Sequence, residues 1–172
     1  MKTLYPNLYL KKVEDITIEM LIKNKIKLLI LDVDNTLIDY NKNLSEDIIN
    51  WAKTMKGQGI KLHILSNTGN KEKVKQVAQK LDIQYKYFAM KPLKKGFKSI
   101  QKITNIKLEN IAVVGDQIFT DILGGNRSKM FTILIDPINE EKDYWYTAWK
   151  RPIENKIKKN YVAKEEKNKN VY

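Results

Sequence analysis

The run LLILDV, Leu28 to Val33, constrains this chain more than any other feature. It is apolar at consecutive positions, where a strand with one wet face would alternate, and it is too short for a buried helix. Such a run forms a central strand covered on both faces, and strands of that kind occur in parallel sheets. Parallel neighbours need helical crossovers, and the remaining sequence supplies them. Ser45 caps a helix to about Lys56, with Ile48, Ile49, Ala52 and Met55 at helical spacing and Gly57 and Gly59 ending it. Ile60 to Leu65 follows as a strand. The segment NKEKVKQVAQKLD reads as a helix with Val74, Val77, Ala78 and Leu81 on one side. Gln84 to Ala89 reads as a short strand, Leu93 to Thr104 as a helix, and IAVV and MFTILI as two more strands. Residues 14–24 read as a helix ahead of the first strand. The expectation is an α/β, three-layer Rossmann-like fold: a central parallel sheet of about five strands with about four connecting helices.

With 172 residues, 42% of them hydrophobic, the chain suits one domain, expected over residues 1–163, with 164–172 as a frayed tail. Tyr144 to Tyr161 reads as a helix despite Pro152. Its stripe of Trp145, Trp149, Ile153, Ile157 and Tyr161 recurs every four residues, and packing on the core is favoured over lying on a membrane. The N-terminal residues lack a signal-peptide pattern, and no stretch nears the roughly 20 apolar residues of a spanning helix. The expected location is therefore cytoplasmic, with peripheral membrane contact allowed.

Composition narrows the chemistry. The chain has no cysteine and one histidine, His63, which excludes thiolate chemistry and histidine metal clusters. His63 alternates with Leu62 and Ile64 in a strand and reads as a packing residue. The net charge of +12 invites a nucleic-acid or anionic-lipid partner, yet only Arg127 and Arg151 among the 32 basic residues are arginine. Forked, bidentate phosphate readers are thus scarce, and nucleic acid is disfavoured.

Acids mark the carboxyl ends of the strands, where open parallel sheets collect ligands. In LILDVDNTL, Asp32 and Asp34 stand two apart and face one side. Two close carboxylates want a cation or a shared proton, and a hard oxygen-seeking ion such as Mg²⁺ fits. Ser66 and Asn67 follow the second strand, Lys91 the third, and Asp116 and Asp121 the fourth. Each alone reads as a cap, a turn or a solvated side chain; four in this order point to one polar site.

The motifs DVDNTL, LSNT, KP and GDQIFTDILGGNR, followed by TILIDPI, resemble the haloacid dehalogenase (HAD) superfamily of aspartate-nucleophile phosphatases. Within it they most resemble subfamily IIIA phosphatases of the YqeG type, which are related to phosphatidylglycerophosphate phosphatases. PNLYLKKVEDI and RPIENKI extend the likeness to most of the chain. The resemblance implies that Asp32 attacks phosphorus and that Asp34 serves as acid, then base. It implies that Ser66 and the Asn67 backbone N–H hold the phosphoryl oxygens and that Lys91 offsets their charge. Asp32, Asp116 and the Asp34 carbonyl would bind Mg²⁺, with Asp121 supporting that shell. Asn35 and Thr36 shape the first loop or touch substrate. Gly124 to Arg127 form a tight turn, with Arg127 a candidate for a second phosphate, and a glycine is expected near Lys129.

Asp32 and Ser66 are 34 positions apart, and Ser66 and Lys91 are 25. A helix and its loops fill each interval, so no cap domain is expected. An open site suits a phosphate on something large, such as an anionic lipid at a membrane surface, possibilities that include phosphatidylglycerophosphate. A protein, nucleotide or sugar phosphate is the alternative substrate, and an RNA- or protein-binding module without catalysis is the alternative class.

Overall fold

In the computed structural model, which describes residues 2–139 and 150–169, the strands are β1 (Leu8–Leu10), β2 (Leu28–Leu31), β3 (Lys61–Leu65), β4 (Gln84–Lys86), β5 (Ile111–Gly115) and β6 (Phe131–Ile135). All pair in parallel, in the order β1-β6-β5-β2-β3-β4. The helices are α1 (Ile18–Lys23), α2 (Glu46–Gly57), α3 (Lys71–Leu81), α4 (Lys94–Thr104), α5 (Leu123–Arg127) and α6 (Arg151–Lys169). The chain is thus a Rossmann-like α/β fold, and among the described residues no cap domain interrupts it.

β2 is central and buried at every position. Its side chains alternate between two cores, as the two-residue strand period requires. Leu29 and Leu31 pack with Ile48 and Trp51 of α2 and Val74 of α3, while Leu28 and Ile30 pack with Phe97 and Ile100 of α4. Helix starts follow local capping chemistry: Ser45 Oγ accepts from Ile48 N at 3.3 Å and Asn70 Oδ1 from Lys73 N at 3.0 Å.

Six strands stand where about five were expected. The additional one, β1, is three half-buried residues on the edge, too short for any alternation to register. Asn7 secures it, accepting from Thr132 N at 2.8 Å through Oδ1. The expected tight turn over Gly124 to Arg127 is instead the helical turn α5, which follows a wide π turn at Ile118–Ile122. Its glycines serve close packing: a Cβ on Gly124 would lie 2.5 Å from Phe97 Cε2. Arg127 is exposed at the end of α5. Lys129 holds φ at +59°, the left-handed conformation for which a glycine was expected there.

The terminal helix packs on its own domain, through Glu154, Ile157, Lys158 and Tyr161, whereas Ile153 is half exposed. Spacings of three and four keep one helical face inward, so the four-residue stripe describes the contact only in part. Helical structure continues through Lys169, across most of the segment expected as a tail. Trp145 and Trp149 lie outside the described residues. Among the described residues no helix is long and apolar enough to cross a membrane.

Candidate active site

The carboxyl end of β2 begins the site. Asp32 N donates to Val114 O at 3.0 Å, extending the ladder one residue beyond β2. The chain then turns back on itself: Leu37 N and Ile38 N donate to Val33 O, and Asn35 N donates to Ile38 O at 2.9 Å. Asn35 adopts φ +58°, a conformation asparagine tolerates. This loop directs Thr36 Oγ1 to Asp116 Oδ1 at 3.4 Å, so Thr36 touches a site carboxylate. Asn35 Oδ1 accepts from Asn139 N at 3.3 Å, a loop-shaping role.

Lys91 is the hub. Its side chain is buried and its Nζ donates to Asp32 Oδ1 and Asp121 Oδ1, both at 2.6 Å. Burial works to lower its pKa, but the charges of Asp121 and Asp32 override burial and hold the ammonium above its ordinary value. Asn67 grips the Lys91 backbone with its side chain, accepting from Lys91 N at 2.6 Å and donating to Lys91 O at 3.0 Å. Ser66 is buried at the end of β3, beside β2, where its Oγ accepts from Thr68 N at 3.3 Å.

Asp116 follows β5. Arg151 of α6 donates to Asp116 Oδ2 and, at 3.0 Å, to its carbonyl oxygen. Glu154 on the same helix accepts from Phe119 N at 3.0 Å, fastening α6 to the π turn. Asp121 is fully buried and also accepts from Gln117 N at 3.2 Å and Thr120 Oγ1 at 3.3 Å. Gly115 gives it room, since a Cβ there would lie 2.3 Å from Asp121 Cγ.

Asp32, Asp116 and Asp121 each bring an oxygen within 4.8 Å of the others. Burial pushes Asp116 up to about 8 and Asp121 up to about 6, against the pull of Arg151 on the first and Lys91 on the second. Crowding three buried acids around two cations holds two of them above the ordinary carboxylate range; a divalent ion would relieve that repulsion, and the all-oxygen donor set fits one. Among the described residues Asp32 Oδ2 accepts no hydrogen bond, which leaves it available to a metal or a phosphorus atom.

The Asp34 carboxylate turns from this trio to Lys73 Nζ of α3, at 2.5 Å. Burial and the Asp32 charge raise its pKa, and Lys73 opposes them. The structure thus joins Asp32 and Asp121 through Lys91 and brings an Asp116 oxygen within 4.8 Å of both, with Asp34 and Ser66 on adjoining strand ends. Arg127 touches none of these groups. His63 is buried on β3, a packing residue as its alternation suggests.

Sequence reasoning missed Lys73, Arg151, Glu154 and the Asn67 side chain. Arg151 carried one signal: it is one of two arginines among 32 basic residues.

The same architecture occurs in solved proteins. One from Listeria monocytogenes serotype 4b superposes with a TM-score of 0.56 at 20% identity, covering 69% of this chain and 85% of that one. Another, from Corynebacterium glutamicum, superposes with a TM-score of 0.52 at 16% identity, covering 64% and 85%. In sequence, "Probable phosphatase YqeG" of Bacillus subtilis (strain 168) is 37% identical over 157 residues, which are 91% of this chain and 90% of that protein. By this relationship the chain is a phosphatase acting on a phosphorylated substrate, on a fold and motif set that resemble the HAD superfamily. Residues 1–139 match the family model described as "Mitochondrial PGP phosphatase", and the chain belongs to that family.

Proposed function

We propose that this chain is a magnesium-dependent phosphomonoesterase that forms an aspartyl phosphate on Asp32 and acts on phosphatidylglycerophosphate at the cytoplasmic face of a membrane. The observation that carries the reading is the state of Asp32: one carboxylate oxygen bound to Lys91, the other without a hydrogen bond among the described residues, within a trio of buried acids. In the first half-reaction the free oxygen of Asp32 bonds to phosphorus as the bond to the leaving oxygen breaks. Asp34 gives its proton to that oxygen, a role its raised pKa suits. In the second half-reaction Asp34 takes a proton from water as the water oxygen attacks phosphorus, and Asp32 is released with inorganic phosphate.

The Ser66 hydroxyl and the Asn67 backbone N–H hold the phosphoryl oxygens, and Lys91, held by Asp121 and Asn67, balances their charge. Mg²⁺ would be held by Asp32, Asp116 and the Asp34 carbonyl, and bound there it supplies charge stabilisation to the phosphoryl group. The lipid substrate is supported by the family and by the absence of a cap among the described residues.

The test is phosphate release from vesicles carrying phosphatidylglycerophosphate, beside a panel of soluble protein, nucleotide and sugar phosphates, in Mg²⁺ or EDTA. Release from the vesicles in Mg²⁺ that EDTA abolishes is the expected result. Far faster turnover of a soluble phosphate would overturn the lipid assignment, and full activity in EDTA would overturn the metal requirement.

A further inference from the structure

The loop between β4 and α4 carries Lys91 inward and apolar side chains outward. Phe88 is 61% exposed, Leu93 51%, Met90 45% and Tyr87 37%. Four large apolar residues exposed within seven consecutive positions are a concentration of the kind that marks an interaction surface. Phe88 and Met90 also hold left-handed backbone conformations, with φ at +51° and +54°. Non-glycine residues occupy that region only where surrounding contacts enforce it. Here they do: Phe88 N donates to Thr68 O and Ala89 N to Ser66 O, both at 3.0 Å, while Leu93 N donates to Met90 O at 2.9 Å. The loop is therefore bonded to the segment that carries Ser66 and Asn67, and Ala89 between the exposed residues is buried.

Charge indicates what the patch meets. Residues 84–107 contain seven lysines and no aspartate or glutamate. Lys94 and Lys95 are exposed immediately beyond the loop, and Lys71 of α3 sits 5.9 Å from the centre of the Tyr87 ring. Apolar side chains flanked by lysines and a tyrosine match the layered chemistry of a bilayer surface, with acyl chains below and anionic headgroups above.

We infer that the Tyr87–Leu93 loop docks on anionic membranes, with Phe88, Met90 and Leu93 entering the headgroup boundary and the surrounding lysines facing lipid phosphates. Because Lys91 lies within this loop, docking brings the mouth of the site against the bilayer. This inference deepens the lipid-substrate reading and rests on it for its purpose, but its test needs no turnover.

The full chain is spun down with vesicles of phosphatidylcholine alone or with about one-third phosphatidylglycerol, and the variant Phe88→Ser/Met90→Ser is compared with Ile22→Ser/Ile103→Ser. Ile22 and Ile103 are 68% and 75% exposed near the carboxyl ends of α1 and α4, away from this loop. Circular dichroism melts confirm that each variant is folded. The expected result is binding to anionic vesicles that falls about tenfold in the loop variant only, the scale set by losing two buried apolar contacts. Absence of binding, equal binding to neutral vesicles, or equal loss in both variants would overturn the docking loop. None of these would touch the phosphatase reading, which fails only through the hydrolysis assay.

Discussion

At the scale of single residues, His63 makes the fold sensitive to acid. Burial, with the Lys86 charge beside it, lowers its pKa from 6.5 to about 4. The folded protein therefore takes up fewer protons at this position than the unfolded chain. Stability from His63 is complete above about pH 6.5 and is lost as pH falls toward 4. Urea unfolding should show wild type losing up to about 3 kcal/mol more than His63→Gln between pH 7 and pH 4. Parallel pH profiles for the two proteins would contradict this. The acids of the candidate site were readable in the sequence because a carboxylate ending an apolar strand has no packing reason to be there. Lys129 was readable as a departure, since the left-handed turn it occupies suits glycine. Arg151 was not. Its partner Asp116 lies 35 residues away, and only the docking of a helix brings the two together.

At the scale of elements, the inner strands and the helices between them follow from periodicity and caps, because local sequence determines both. β1 depends on tertiary contact and was not legible, whereas the stripe on α6 gave its inward face in part, through Ile157 and Tyr161 but not Glu154. Along α6, Arg151 and Glu154 join the terminal helix to the loop that carries Asp116. Arg151→Met would remove the guanidinium that favours the Asp116 carboxylate, raising the Asp116 pKa further and costing the metal-free protein at most about 3 kcal/mol, since the acid can protonate. A divalent cation can stand in for the missing charge. Mg²⁺ should therefore raise the melting temperature of the variant more than that of wild type, in scans with Mg²⁺ or EDTA. An equal rise in both would show that Arg151 does not balance this carboxylate.

For the whole molecule, the parallel sheet turns sequence order into a site: β2, β3 and β5 are neighbours, so residues at their carboxyl ends meet although 84 positions separate Asp32 from Asp116. The net charge resisted reading until the fold placed an acid-free, lysine-rich segment beside exposed apolar side chains. The central claim is that Asp32 carries the phosphoryl group. It is tested most directly by quenching the enzyme during turnover, reducing with borohydride and sequencing the peptides by mass spectrometry, since reduction converts an aspartyl phosphate to homoserine. The account predicts homoserine at position 32 and at no other aspartate. Continued phosphate release with position 32 unmodified, or homoserine at a different aspartate, would contradict it.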